Sequence, residues 1–120
     1  MTRFEDLEVW KRAAGLCAEI YQTINKSKDY GFWDQITRCS LSVSSNIAEA
    51  FERAGRKEIG NFLNYAKGSS GELRSQIYIG MKIGYIERTT GIAWINESRE
   101  ISKMIYALMQ SVKNSPKNSD

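Results

Sequence analysis

The chain has no histidine among its 120 residues. Histidine triads, His-ligated zinc or iron, and imidazole acid–base chemistry are all removed at once. The carboxylate-bridged di-iron bundle goes with them, because it is built on Glu-x-x-His pairs. Cysteine is scarce too. Cys17 and Cys39 cannot close a zinc site by themselves. Both fall on apolar helix faces, as small buried thiols in a reducing compartment do. No metal or cofactor is expected. The one proline, Pro116, lies among the last residues, so nothing interrupts a helix from within. No apolar run approaches the ~18–20 residues that span a bilayer. The opening MTRFEDLEVW carries three acids where a targeting segment carries basic residues. A cytoplasmic protein away from membranes is the expectation.

What is present points to helices. With 42% apolar and 26% charged residues, the composition is that of a globular domain rather than a disordered chain. A single domain is expected over residues 1–113, with a polar tail over 114–120. Leu7, Trp10, Ala13, Ala14, Cys17, Ile20, Tyr21 and Ile24 recur at helical spacing behind a possible N-cap, Asp6. The polar stretch NKSKDYG ends that segment. A second helix runs from Gly31 or Phe32 to Ala54-Gly55, with Ile36, Val43, Ile47, Ala50 and Phe51 on its apolar side. A third follows from Arg56 to Gly84 and carries Gly60, Gly68, Gly71 and Gly80, each costing about 1 kcal/mol relative to alanine. Close approach of a neighbouring backbone is the favoured reason for so many. The fourth, capped by Thr89 or Thr90, is apolar through Ile101, Ile105, Leu108, Met109 and Val112. No strand-like alternation of useful length occurs. The fold class is all-α: an antiparallel, up-down-up-down four-helix bundle.

The second helix is the unusual one. Between positions 40 and 46 it holds Ser40, Ser42, Ser44, Ser45 and Asn46, residues that compete for backbone hydrogen bonds and favour caps over helix interiors. Small side chains allow close helix approach, and buried polar ones need partners. Asn46, Glu49 and Glu72 therefore suggest a polar network between helices two and three, with Arg38, Arg53, Ser70 or Gln76 as partners. The same carboxylates, Glu49 and Glu72, would be the pair in an acid–base enzyme. A structural or assembly role for Asn46, Glu49, Glu72 and Ser70 is preferred, and no catalytic residue is assigned. Trp10, Trp33, Trp94 and Phe51 supply core area, and the surplus of packable faces on helices two and three points to contacts between copies of the chain.

Charge is uneven. Residues 1–52 carry 6 basic and 8 acidic side chains, whereas residues 53–82 carry 6 basic and only 2 acidic ones. Arg53, Arg56, Lys57, Lys67 and Arg74 are the candidate phosphate contacts; Lys67 and Arg74 share a face with Gly60, Gly71 and Tyr78. A solvated face with ion pairs between copies is the plainer alternative. Aromatics do not interleave with these cations as a stacking platform requires, so the sequence does not support specific single-strand readout.

Four stretches carry a family resemblance: FEDLEVWKRAAGLCAEIY, QITRCSLSVSSNIAEAFER, AKGSSGELRSQIYIGMKIGYI and the closing amphipathic helix. The most specific pieces are Asn46-Ile47-Ala48-Glu49, Ala66 with Gly68-Ser69, Glu72-Leu73 and Gly84-Tyr85. Together they resemble the four-helix bundle proteins of the 23S rRNA intervening sequence, or S23, type, a group similar to the accessory protein of diversity-generating retroelements. Ala50 stands where that family carries glycine. The resemblance implies a homopentamer of bundles with no known catalysis. It also implies a role with RNA or DNA, or with a ribonucleoprotein such as a reverse transcriptase and its template. A protein–protein adaptor with no nucleic-acid contact is the alternative.

Overall fold

A computed structural model describes residues 2–23, 29–53 and 55–115. A short 3-10 turn, Phe4–Asp6, leads into α1 (Glu8–Thr23); α2 (Tyr30–Glu52), α3 (Arg56–Lys82) and α4 (Arg88–Lys113) follow. No strand occurs among the described residues. Cross-helix bonds fix the directions. Cys39 meets Glu72 while Ser42 meets Ser69, and Ser70 meets Ser102 while Tyr78 meets Arg99. Arg12 meets Glu97 while Glu19 meets Trp94. In each pair of helices one number rises as the other falls, so these neighbours run antiparallel. Packing follows the cycle α1–α2–α3–α4–α1, which makes a four-helix bundle of 52 × 21 × 20 Å.

The core is the set of positions that the helical spacing marks. Ile20, Ile36, Ile47, Leu63, Leu73, Ile77, Ile101 and Ile105 are fully buried along its axis. Trp33 and Trp94 are buried with them, and Trp10 and Phe51 pack against the core from its margin. Cys17 and Cys39 are both buried and unbridged.

Helix ends depart from the expected ones. Asp6 belongs to the 3-10 turn, and α1 begins two residues after it. The cap of α2 is Asp29, whose carboxylate accepts from the Phe32 amide at 3.1 Å, so that helix starts at Tyr30. Asp29 also accepts from the Tyr85 hydroxyl at 3.2 Å, tying the start of α2 to the α3–α4 turn. Helix α3 stops at Lys82, and Gly84, at φ 80°, turns the chain into its left-handed exit. The Tyr85 and Ile86 amides then close on the Gly80 carbonyl at 2.8 and 3.0 Å. Helix α4 begins at Arg88, one residue before Thr89, with no side-chain cap. Of the expected polar tail, residues 116–120 lie outside the described residues, as do Ile24 and Ala54 at the ends of the first two expected helices.

Candidate nucleic-acid interface

Successive residues of a helix are rotated by about 100°. On α3 that rotation puts Arg56, Lys67, Arg74 and Tyr78 within about 40° of one another, with Gly60 and Gly71 alongside. The two carboxylates of the helix, Glu58 and Glu72, fall about 160° away from Arg74. They face α2. Glu58 lies 3.7 Å from Arg53, and Glu72 accepts from the Cys39 thiol at 3.7 Å. Cations and acids of α3 are thus sorted onto opposite flanks.

The cationic flank borders α4, which adds Arg99, Lys103 and Lys113 to it. Arg99 donates to the Tyr78 hydroxyl at 2.8 Å across the seam. At the far end, a groove of about 440 Å³ is lined by Arg56, Lys57, Gly60, Met109, Gln110 and Lys113. Among the described residues no carboxylate pairs with Lys57, Lys67, Arg74, Arg99 or Lys113, while Lys103 has Glu100 at 3.3 Å. From Arg56 to Tyr78 the seam follows 22 residues of α3, roughly 33 Å of helix.

Arg74 is the fixed point of the seam. Its Nη1 donates to the hydroxyls of Ser98 at 3.2 Å and Ser102 at 3.4 Å. Ser102 in turn donates to Ser70 at 2.9 Å, Ser70 to the Ser98 carbonyl at 3.1 Å, and Ser98 to the Ile95 carbonyl at 2.9 Å. Each hydroxyl donates once and accepts once, so the buried part of this network is fully satisfied. The guanidinium is held in one place, with no carboxylate among the described residues to cancel its charge.

Of the five expected phosphate contacts, Lys57, Lys67 and Arg74 lie along this seam and Arg56 lies at its end. Arg53 does not. Its Nε donates to Glu49 at 2.8 Å, Glu58 is close on the other side, and the guanidinium sits 5.0 Å over the Phe62 ring. Arg99, Lys103 and Lys113 escape the sequence reading because nothing local announces that α4 turns them toward the cationic flank of α3. Two exposed tyrosines, Tyr78 and Tyr106, also stand along the seam, so the interleaving of aromatics with cations that is missing along the chain is present across two helices.

The α2–α3 flank differs in kind. Ser42 and Ser69 share a hydroxyl bond of 2.9 Å between the helices. Asn46 donates to the Ser42 carbonyl at 2.9 Å and to its hydroxyl at 3.0 Å, within its own helix. Ser70 works toward α4 rather than α2. Arg38 pairs with Asp34 in its own helix, and the Gln76 Oε1 has no hydrogen-bond partner among the described residues. Glu49 lies ten residues along α2 from Cys39, the neighbour of Glu72, which is about 15 Å of rise. The two carboxylates are not brought together as an acid–base pair. Burial comes first, and Glu72 second, in pushing the Cys39 thiol up to about 12. That makes it an inert donor rather than a nucleophile.

Fold and surface together define a four-helix bundle with one polycationic seam. The chain belongs to the 23S rRNA-intervening sequence protein family, whose profile matches residues 5–107. Among solved structures it is similar to the crystal structure of a protein of unknown function from the S23 ribosomal protein family of Bacteroides thetaiotaomicron VPI-5482. That match has a TM-score of 0.80 at 24% identity, covering 85% of this chain and 95% of that one, and it carries the fold alone. A comparison with curated proteins found no match.

Proposed function

We propose that the protein is a non-catalytic scaffold that binds nucleic acid through the α3/α4 seam and associates with copies of itself through the opposite side of α2 and α3. The observation that carries the first half is the sorting of charge on α3: Lys57, Lys67 and Arg74, joined by Arg99, Lys103 and Lys113 of α4, form a row in which, among the described residues, only Lys103 has a carboxylate partner, Glu100. A row of that kind exchanges condensed counterions for phosphates, and its affinity must then depend steeply on salt. The second half rests on Tyr65, Ile79 and Ile83, which are large, apolar and exposed on the flank of α3 away from the seam, with Leu41 exposed beside Tyr21 on the α1 side of α2. The homopentamer, and an RNA or ribonucleoprotein partner such as a reverse transcriptase, are the particular forms of this proposal that the family resemblance adds.

Anisotropy titrations with a labelled RNA across a series of salt concentrations test the reading. Each lost phosphate contact flattens the slope of log K against log salt by about 0.7–0.9. Lys57→Glu with Lys67→Glu, two exposed changes, should lower the affinity and flatten that slope by roughly 1.4–1.8. A slope unchanged by both reversals would remove the seam from the binding site. Light scattering on the purified chain tests association, and a lone monomer at micromolar concentration would end that half of the proposal.

A further inference from the structure

We infer that the seam takes single-stranded nucleic acid, with unpaired bases stacked on Tyr78 and Tyr106 while the cations hold the phosphates; this rests on the nucleic-acid reading above. Tyr78 and Tyr106 are 47% and 53% exposed on the cationic side of the bundle, although neither is needed to fill the core. Tyr78 is tethered, its hydroxyl accepting from Arg99 at 2.8 Å. From the Ser70–Ser102 bond, Tyr78 lies eight residues along α3 and Tyr106 four residues the other way along the antiparallel α4, which sets the two aromatic stations roughly 18 Å apart along the bundle. Arg74, pinned by Ser98 and Ser102, lies between the levels of the two rings.

A cation flanked by two aromatic surfaces on one line suits a strand that offers phosphates and open base faces alternately. In a duplex the base faces are covered by stacking, and only phosphates and groove edges remain to be met. The cations Arg74 and Arg99 are held by serine and tyrosine hydroxyls, and stacking on an aromatic face does not depend on which base is offered. Binding of this kind tolerates any sequence.

The test uses the full chain, a fluorescein-labelled 20-nucleotide RNA of mixed sequence, and the same strand annealed to its complement. At matched salt the single strand is expected to bind at least tenfold more tightly than the duplex. Tyr78→Leu with Tyr106→Leu should weaken single-strand binding ten- to a hundredfold, leaving the salt slope and the weaker duplex binding in place. Leucine keeps the apolar stem, and an unchanged melting temperature confirms the fold. If the double variant melts early, photocrosslinking of the unaltered protein to 4-thiouridine RNA replaces it. Crosslinks on peptides holding Tyr78 and Tyr106 support the inference, and crosslinks elsewhere overturn it. Equal or tighter duplex binding, or single-strand affinity indifferent to the tyrosines, overturns the single-strand inference and leaves the phosphate seam standing. Failure to bind either RNA at low salt removes the nucleic-acid reading itself.

Discussion

Two hydroxyls, Ser98 and Ser102, hold Arg74 where a rotamer-rich side chain would otherwise wander. Ser98→Ala takes away one acceptor and leaves a buried network incomplete; a loss of about 1 kcal/mol, measured as a lower urea midpoint, is the expected outcome. The Arg12 guanidinium grips Glu97 through two bonds of 2.9 and 2.6 Å and, chiefly by hydrogen bonding, holds its carboxyl below the ordinary range. The stability this supplies is therefore present above the ordinary value of about 4.5 and is lost as pH falls through the lower folded value. Glu97→Gln should flatten the acid limb of a thermal-melting profile, by no more than about 1 kcal/mol because the pair is a third exposed. Cys39 works the other way. Its raised thiol favours the folded state fully below the ordinary 9.0, and that contribution disappears as pH climbs toward about 12. Iodoacetamide at pH 8 should label Cys39 only at the rate of unfolding. Ser70 was legible as a polar residue needing a partner, but its partners lie 28 and 32 residues further along, where no local pattern reaches. Arg53 is different: Glu49, its partner at 2.8 Å, stands one helical turn away in the sequence, and only Glu58 at 3.7 Å is brought to it by the turn between α2 and α3.

Helices announce themselves through spacing, and all four were legible because apolar residues recur every three or four positions from Leu7 to Val112. Their ends were not. Capping depends on one carboxylate reaching one amide, and Asp29 does this while Asp6 and Thr89 do not. The glycines of α3 show how spacing misleads. Close packing was expected at all of them, yet within the chain only Gly80 meets it. A Cβ there would come 2.5 Å from the Ile86 Cδ1 and 3.0 Å from the Phe32 Cζ, whereas at Gly68 it would meet nothing within 4 Å. Gly80→Ala should therefore destabilise the bundle by about 1–3 kcal/mol through overpacking. Gly68→Ala should stabilise the isolated chain by roughly 0.5–1 kcal/mol, as alanine is the better helix former. Guanidinium unfolding of the two variants gives opposite signs. A Gly68→Ala protein that is more stable yet assembles less would show that a second copy needs this open stretch of α3.

Taken as one body, the molecule separates its charge more sharply than its composition suggests. A net of +3 neither demands nor forbids a polyanion, and the sequence showed only that residues 53–82 are locally basic. The seam needed the third dimension. Helical rotation sets Glu58 and Glu72 on the α2 flank, and the antiparallel return of α4 brings Arg99 to Tyr78 and Lys113 to Arg56 and Lys57. Because α1 and α2 retain more acids than bases, this separation also gives the bundle a sideways dipole, at right angles to its 52 Å length. Near a polyanion such a rod is turned before it touches, so that most encounters begin with the productive edge already facing inward. Lowering ionic strength should then quicken arrival far more than it slows departure, a partition that stopped-flow mixing resolves directly.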